Sequence, residues 1–568
     1  MPEPNTIFAR LWHRLAPTDS RLIFILTVIV GILSGLAAVA FHSSIDWVDH
    51  HVLGAVIGQQ GMARAVSLFV VLGGVGLAVG LLLQFAFPYA RGSGIPEVKY
   101  EYATATGPRL SGRTVVGKFL LGALSIGAGF SLGREGPTVQ ICAGIGVAVG
   151  RLTRQGPRVA RQLACIGAAA GIAAAFNTPI AAITFVLEEI VGDLNQRLLG
   201  AIVVATVAAA VVEHAILGGQ PVFAVPAYAL GAWWELVGYA LLGVLCAIGA
   251  VIFVKGLLWT RAAVRSWTAV PSWAKPAAGG MLVALIGVAF PAALGIGYSV
   301  LSDALLGRMA LPAMASLSVV KLAATVVSYG FGLAGGIFAP SLYMGGMLGG
   351  AVGGTLHHWV PQNPNVVGSF ALVGMGAFFA GAIRAPITSI LIIFEMTGDY
   401  AIILPLMIAN MISYTLASHW QRLPIYDALL EQDGLHIGDH DAAVFKRTTV
   451  ERAMTRAALT AIPGESTASA LARLDDLGVN ALPVVNAAGV LVGIVSRKDL
   501  LSEKARGATI EAVMTRRPIT IFADQTIDAA LQKMGRHAIR QLPVVARSEP
   551  HVLAGILSLR DIAARAQE

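Results

Sequence analysis

Apolar runs fill most of this chain, and they leave few folds open to it. A helix that crosses a bilayer needs about 20 consecutive apolar residues, and several of these runs are shorter and end in Gly or Pro. Broken helices are tolerated at membrane depth only where protein or a cavity surrounds them. Short, interrupted segments of this kind point to a transport site in a polytopic membrane protein. The apolar runs occupy residues 22–41, 66–87, 115–130, 139–150, 163–190, 198–217, 235–258, 277–295, 319–347, 366–383, 386–396 and 401–417.

Charged residues are concentrated near the end of the chain. Residues 436–568 contain 17 Lys or Arg and 14 Asp or Glu, although only 13% of all 568 residues are charged. The charged fraction of residues 436–568 is normal for a soluble domain, whereas that of the whole chain is low. A soluble tail is therefore expected after a linker at 431–447. Three arginines precede the first apolar run, and the positive-inside rule predicts a cytoplasmic N-terminus over 1–21. The net charge of +8 does not indicate nucleic-acid binding, because the basic residues are dispersed.

Two stretches of the membrane part repeat each other. Residues 175–188 match residues 382–395, with a Pro, two Ile and a final Glu in the same register. Duplicated halves are common in transporters, where the second half is often inverted. The fold expected over residues 22–430 is therefore a polytopic α-helical membrane protein of two repeats of broken helices, with the second repeat inverted.

The tail also repeats itself, at a spacing of 60 and then 62 residues. Ala453–Arg456 recurs as Val513–Arg516, and each copy continues into an apolar helical period and short β-branched runs. Two small α/β modules are thus expected, over 448–505 and 506–568. Their predicted helices are Thr467–Leu477 and Thr526–Met534, and their predicted strands in the first copy are Leu482–Val485 and Val490–Val495.

Three Gly-rich elements each stand at the start of an apolar segment, namely Gly92–Glu97, Gly133–Pro137 and Gly335–Pro340. Pro suits the first turn of a helix, and Gly lets another group approach the backbone. A helix N-terminus offers free N–H groups and about half a positive charge. Three such ends directed at one point would bind an anion without a fully charged side chain.

Acids at membrane depth need an explanation, because a charged side chain there costs about 3 kcal/mol on insertion scales. Beside Gly136, the carboxylate of Glu135 can rest on free amides as a bound anion would, and protonation would release it. Glu188 and Glu395 are equivalent in the repeat, which predicts a structural role such as capping. Glu189 has Met396 at the equivalent position, and a single unmatched acid is the better functional candidate.

With these residues, the membrane part resembles the CLC family of chloride channels and proton/chloride antiporters. Its signatures stand here as Gly92–Pro96, Gly133–Pro137 and Gly336–Pro340, followed by Tyr426. The resemblance implies that chloride is contacted by the hydroxyls of Ser93 and Tyr426 and by the amides of Ile337 and Phe338. The remaining signature positions are Gly92, Gly94, Gly133, Arg134, Gly136, Gly336 and Ala339.

The same resemblance implies a function. Glu135 would be the external gating glutamate, and Glu189 matches the internal proton-transfer glutamate of the antiporter branch. The expected protein is a homodimer that exchanges chloride against protons across a bacterial-type inner membrane, with both termini cytoplasmic. It is not expected to be an enzyme, and no catalytic residue, metal site or required cofactor is predicted. The alternative is a passive chloride channel gated by voltage or pH.

The tail resembles a pair of CBS domains. In such pairs a Ser or Thr and an Asp line a nucleotide cleft, and here these are Ser496 with Asp499 and Ser558 with Asp561. The resemblance implies an adenine nucleotide as ligand. Because Ala487-Ala488 of the first copy becomes the longer Arg547–His551 in the second, one good site and one poor site are expected. A pair that only packs and dimerises remains the alternative. A third candidate function belongs to a different class of protein: the chain would act mainly as a nucleotide sensor, through its tail.

Overall fold

The computed structural model divides the chain into two compact units, Met1–Ile437 and Gly438–Glu568. Residues 1–18 of the predicted N-terminus and 436–447 of the predicted linker lie outside the described residues. The structure describes residues 19–104, 107–192, 196–219, 222–223, 225, 233, 235–359, 365–435, 448–456, 459–477, 479–549 and 551–565.

The first unit is helical throughout its described length. Its α-helices are α1 (Asp19–Val48), α2 (Gly61–Phe85), α3 (Ile95–Thr104), α4 (Gly112–Gly127), α5 (Glu135–Leu152), α6 (Pro157–Phe176), α7 (Pro179–Phe185), α8 (Gln196–Leu217), α9 (Glu235–Ser266), α10 (Lys275–Ala289), α11 (Tyr298–Leu305), α12 (Leu311–Gly330), α13 (Phe338–Trp359), α14 (Val366–Ile383), α15 (Pro386–Thr397), α16 (Ile403–Trp420) and α17 (Ile425–Gln432).

Seven helical segments in the described residues are long and apolar enough to cross a membrane. The helices that carry the Gly-rich elements, α3, α5 and α13, pack among them, so irregular backbone is surrounded by protein. The seven are Arg21–Ile57, Gly61–Phe85, Pro157–Phe176, Leu198–Leu217, Glu235–Ser266, Leu311–Gly330 and Val366–Ile383.

One apolar run of the sequence forms two helices. Residues 163–190 are divided between α6 and α7 because Asn177 adopts a left-handed conformation (φ 57°) and Pro179 starts a new helix. The same break separates α14 from α15 in the second half, at Arg384 (φ 69°). A residue in the left-handed region ends a helix by turning the chain away from its axis.

The repeat extends over nearly the whole membrane unit. Helix α1 packs on α8 as α9 packs on α16, and α5 packs on α6 as α13 packs on α14. Two buried lysines mark the same relation at an offset of 203. Lys118 Nζ donates to the carbonyls of Arg91 and Gly92 (3.2 and 2.8 Å), and Lys321 Nζ donates to those of Ala293 and Gly295 (3.1 and 2.6 Å).

The repeat-equivalent acids cap each other's helices. Glu188, at the end of α7, accepts from the amide of Thr388 in the first turn of α15 (2.8 Å). Glu395, at the end of α15, accepts from the amides of Ile180 and Ala181 in the first turn of α7 (3.0 and 2.6 Å). Helices α7 and α15 are therefore antiparallel, as inverted repeats require, and the predicted structural role of both acids is confirmed.

The tail unit contains two three-stranded sheets, ordered β1-β2-β3 and β4-β5-β6. The predicted helix Thr467–Leu477 is confirmed with the same bounds, and the predicted strands shift by one residue. The elements are α18 (Val450–Ala453), α19 (Thr467–Leu477), β1 (Ala481–Val485), β2 (Leu491–Ser496), α20 (Arg497–Leu500), α21 (Ile510–Val513), β3 (Thr515–Arg516), β4 (Ile521–Phe522), α22 (Ile527–His537), β5 (Gln541–Val545), β6 (Leu553–Ser558) and α23 (Leu559–Arg565).

The two modules of the tail exchange their leading segments. Val450 of α18 is buried in the core that contains β4, β5 and α22, whereas Ile510 of α21 is buried in the core that contains β1, β2 and α19. Strand β3 accordingly pairs with β2, and Thr455 forms the equivalent bridge with Ile556. This exchange ties the modules into one folded pair.

Candidate functional site

The structure brings the three Gly-rich loops together at one point. Gly133 and Gly336, which are equivalent in the repeat, exchange two backbone hydrogen bonds of 2.7 Å. Gly92 donates to the carbonyl of Leu333 (3.1 Å) and accepts from the amide of Gly335 (3.0 Å). Because backbone hydrogen bonds join the three loops to one another, the loops form a single cradle between the starts of α5 and α13.

Two helices begin at this cradle, α5 at Glu135 and α13 at Phe338. The first amides of a helix have no partner inside it and carry partial positive charge. Within the described part of the chain, the amides of Ile337 and Phe338 donate to no backbone carbonyl. The cradle therefore presents unpaired N–H groups in a buried setting, which suits an anion.

Two hydroxyls face the same cradle. Ser93 and Tyr426 are both 0% exposed. Their hydroxyls lie near hydrogen-bonding distance of each other, yet neither makes a well-aligned hydrogen bond to a protein group in the described residues. A buried polar group without a hydrogen-bond partner lowers the stability of the fold. The hydroxyls of Ser93 and Tyr426 are therefore available to donate hydrogen bonds to a bound ion.

Glycine is required where the loops approach most closely. A Cβ atom on Gly136 would lie 2.3 Å from Ser93 Oγ, and one on Gly133 would lie 2.4 Å from Glu135 Oε2. Real Cβ atoms do not approach so closely, so any larger residue would push the hydroxyl or the carboxylate aside. The Gly-rich pattern thus keeps the floor of the site open to small groups.

The carboxylate of Glu135 occupies the cradle. Its side chain is 0% exposed; Oε2 accepts from the amide of Ala339 (3.4 Å), and Oε1 accepts from the hydroxyl of Tyr298 (2.7 Å). The neighbouring Arg134 points elsewhere, since its Nη2 donates to the carbonyl of Ala175 (3.2 Å). Glu135 is therefore bound by a helix N-terminus and a tyrosine rather than by the adjacent arginine.

Glu189 lies in a different environment from its neighbour Glu188. It is 4% exposed and sits in a π-helical turn, Val186–Val191, that follows α7. Its Oε1 accepts from Lys99 Nζ (2.9 Å), and the same ammonium contacts Asp427 Oδ1 (2.6 Å). Lys99 lies on α3, which begins two residues after Ser93, and Asp427 follows Tyr426 on α17. This ion cluster therefore joins α17 to the helix that starts beside the Ser93 hydroxyl.

Three contributors to the site were missed in the sequence. Tyr298 and Lys99 each contact one of the two candidate acids, Glu135 and Glu189, but these partners are distant in sequence. Lys321 holds the loop before Tyr298 as Lys118 holds the loop before Ser93. The sequence did contain one signal for this loop. Lys118 stands seven residues before Ser125, and Lys321 stands seven residues before Ser328. The two lysines are 203 positions apart, whereas the repeat of 175–188 in 382–395 has an offset of 207.

A cavity of about 840 Å³ lies beside Glu135, whose neighbour Arg134 is part of its wall. Arg134 and Tyr298 line it, together with His42, Asp46 and Glu213. Glu135 itself is not among its walls, so Tyr298 and Arg134 form the boundary between this vestibule and the buried carboxylate.

In the tail, the two Ser-Asp pairs are helix caps. Asp499 Oδ2 accepts from the amide and hydroxyl of Ser496 (2.9 and 2.7 Å), and Asp561 Oδ2 accepts in the same way from Ser558 (2.7 and 2.7 Å). The pairs differ in one contact, because Thr455 Oγ1 donates to Asp561 Oδ1 (3.2 Å). In the described residues no hydroxyl makes the equivalent contact with Asp499.

Known proteins resemble both units. The family model described as voltage gated chloride channel matches residues 75–418, and that of the CBS domain matches residues 450–506 and 510–568. A putative chloride channel protein, ClcB-like, of Ralstonia nicotianae is 34% identical over 397 residues, 68% of this chain and 92% of that protein. An H(+)/Cl(-) exchange transporter, ClcA, of Yersinia pestis is 32% identical over 432 residues, 74% of this chain and 90% of that protein.

Solved structures show the same fold. A slow cyanobacterial Cl-/H+ antiporter matches with a TM-score of 0.66 and 25% identity, over 72% of this chain and 97% of that one. A eukaryotic CLC transporter matches with a TM-score of 0.65 over 95% of this chain and 97% of that one, at 19% identity.

Proposed function

The chain belongs to the CLC family of voltage gated chloride channels, and from that premise we propose that it exchanges chloride for protons across the membrane. It is a multi-pass membrane transporter with a CBS pair, not an enzyme. Chloride transport is the function of the family, and the proposal concerns its coupling to protons, in which Glu135 and Glu189 are the proton-carrying groups.

One arrangement supports this proposal: a buried acid, Glu135, occupies the cradle, and a second buried acid, Glu189, is joined to the elements of the site. The carboxylate of Glu135 rests on the amide of Ala339, where an anion would bind. Glu189 shares the Lys99 ammonium with Asp427, the residue that follows Tyr426. A second buried acid joined to the elements of the site supports coupling, because acids inside membranes mark proton paths.

The proposed cycle follows from competition for the cradle. Chloride binds between the hydroxyls of Ser93 and Tyr426 and the amides of Ile337 and Phe338, and it displaces the carboxylate of Glu135. Displaced into contact with the vestibule, Glu135 takes up a proton from the outer solution. Glu189 then exchanges that proton with the inner solution, beside Lys99.

The rival function is a passive chloride channel, which the name of the Ralstonia relative favours. The reversal potential of the purified protein in a planar bilayer separates the two functions. At a fixed chloride gradient, imposing a proton gradient shifts the reversal potential of an exchanger and leaves that of a channel at the chloride equilibrium value. A potential that ignores pH would overturn the proposal.

The assembly and orientation follow from the same resemblance. We expect a homodimer with one anion pathway per subunit, in a bacterial-type inner membrane, with both termini cytoplasmic. Light scattering of the detergent-solubilised protein measures the dimer mass. Labelling of a cysteine introduced at each end, in intact and in opened cells, reports the side on which the termini lie.

The CBS pair is the regulatory part of this proposal. An adenine nucleotide would bind beside Asp499 or Asp561. In both pairs Oδ2 of the aspartate accepts the capping bonds, and Asp561 Oδ1 accepts from Thr455. Asp499 Oδ1 is the oxygen that has no hydroxyl donor in the described residues. Calorimetric titration of the full-length protein with ATP, ADP and AMP tests this ligand class. Absence of heat at millimolar nucleotide would leave the pair as a scaffold.

A further inference from the structure

Tyr298 makes the shorter of the two hydrogen bonds to the Glu135 carboxylate. The hydroxyl lies 2.7 Å from Oε1, a normal length for an O–H donor, whereas the amide of Ala339 lies 3.4 Å from Oε2. A hydrogen bond to an ionised group is about twice as strong as one between neutral groups. The tyrosine therefore contributes much of what keeps this carboxylate in the cradle.

The tyrosine ring is itself fixed from several sides. Phe223 packs edge-on against it, with centroids 5.6 Å apart, and the guanidinium of Arg134 lies 5.6 Å above the ring. The preceding loop is fixed by Lys321, which donates to the carbonyls of Ala293 and Gly295. A hydroxyl held in this way needs little ordering when it binds the carboxylate, so most of its bond strength is retained.

The position of Tyr298 also matters. It lines the vestibule, while Glu135 is buried behind it. The hydroxyl thus meets the carboxylate on the side from which outer solvent approaches. Its repeat-equivalent residue is Ile95, which has no hydroxyl, so this contact belongs to one half only.

We propose that Tyr298 is a positioning residue whose hydroxyl holds the Glu135 carboxylate in the anion cradle and so limits how readily chloride displaces it. The inference rests on the proposed function, in which Glu135 competes with chloride. It goes beyond that function by naming the group that sets how strongly the Glu135 carboxylate competes with chloride for the cradle.

The test is chloride affinity, measured by calorimetry on the purified full-length protein. In Tyr298→Phe the competitor is held less firmly, so chloride should bind about tenfold more tightly, the lower end of the effect of a hydrogen bond to a charged group. Proton-coupled chloride efflux from proteoliposomes should persist and become faster. Tyr239→Phe is the matched control, because it removes another buried hydroxyl, one bonded to Ser369 Oγ, and should leave chloride affinity unchanged.

The Glu135→Gln background separates this inference from the proposed function. There the competing charge is absent, so Tyr298→Phe should no longer alter chloride affinity. An equal gain in both backgrounds would show that Tyr298 acts on chloride directly, and no gain in either would show that the bond does not restrain Glu135. Loss of proton flux alone in Tyr298→Phe would make the hydroxyl a proton relay instead. Each of these three results overturns the inference.

If Tyr298→Phe does not fold, 4-aminophenylalanine at this position keeps a donor, and 4-methylphenylalanine of similar size removes it. The inference then requires tighter chloride binding in the second variant than in the first. Proton transport that survives in Glu135→Gln alone would instead contradict the proposed function, independently of Tyr298.

Discussion

The two halves of the membrane unit share a scaffold and differ in chemistry. The groups that hold the backbone occur in both halves, where they make equivalent contacts. The paired groups are Gly133 with Gly336, Lys118 with Lys321, and Glu188 with Glu395. The lysines satisfy carbonyls of their own half, whereas the glycines and the glutamates satisfy backbone groups of the other half. Loss of either copy would therefore leave amides or carbonyls unpaired.

Three side chains proposed to meet ions occur in the first half only. Their repeat-equivalents are apolar: Phe338 stands opposite Glu135, Met396 opposite Glu189, and Ile296 opposite Ser93. Duplication therefore supplied two facing helix N-termini, and divergence left these two acids and this serine in the first half alone. Symmetric positions should respond equally to substitution in stability tests, and asymmetric positions should respond in transport tests.

The largest effect is expected for Glu189→Gln. An amide cannot carry a proton, so proton flux should fall below detection while chloride flux continues. Proteoliposome assays that follow chloride and pH together measure both. Glu188→Gln is the matched control, since the neighbouring acid only caps α15, and it should retain coupling. Unchanged proton flux in well-folded Glu189→Gln protein would favour the channel.

Next in size is the loss of a cap. Glu188→Ala and Glu395→Ala should each lower the free energy of unfolding by about 1–2 kcal/mol, the usual cost of losing a helix N-cap. Because each acid accepts from two amides in the first turn of the other helix, both variants should lower the thermal stability in detergent. The shift should be the larger for Glu188→Ala, since Glu188 also accepts from the Thr388 hydroxyl (2.6 Å). Glu431→Ala, at an exposed position of α17, provides the baseline. A large shift for one acid and none for the other would contradict the symmetric scaffold.

A smaller effect is expected on anion selectivity. Ser93→Pro removes the hydroxyl from the cradle, together with the amide that donates to the Tyr329 hydroxyl (3.4 Å). Loss of the hydroxyl weakens binding of a small spherical anion more than that of a larger, weakly hydrated one. The permeability ratio of nitrate to chloride should rise about tenfold, the equivalent of one hydrogen bond to a charged group. Bi-ionic potentials measure it, with Ile296→Ser as the symmetric counterpart. An unaltered ratio would remove Ser93 from the ligand set.

The smallest effect concerns the two modules of the tail. Asp499→Asn should weaken adenine nucleotide binding about fivefold, the value of one hydrogen bond. Asp561→Asn should do less, since Thr455 already occupies Asp561 Oδ1. Calorimetry on the full-length variants compares them. Equal losses would mean that the Thr455 contact does not distinguish the two clefts.

Local patterns predicted the loops and the tail well. Gly and Pro at the starts of apolar segments marked the cradle, because backbone approach and helix starts need those residues whatever surrounds them. The helix Thr467–Leu477 was predicted to its ends because an apolar period and Gly-bounded strands define it locally.

Contacts across the halves were beyond the sequence. The bond from Tyr298 to Glu135 joins residues 163 positions apart, and no periodicity marks such a pair. Four extra residues in α13, which has 22 residues against 18 in α5, change the repeat offset from 203 to 207. That insertion concealed the match of Lys118 with Lys321, and with it the loop that positions Tyr298.

Glu135→Gln tests the central claim most directly, that one acid in the cradle both competes with chloride and carries the proton. Purified variant and wild-type protein are compared in proteoliposomes, with chloride efflux and external pH recorded together. The wild type should drive protons uphill on a chloride gradient. The variant should move chloride at a rate nearly independent of pH and move no protons. Intact proton pumping by Glu135→Gln would contradict the account.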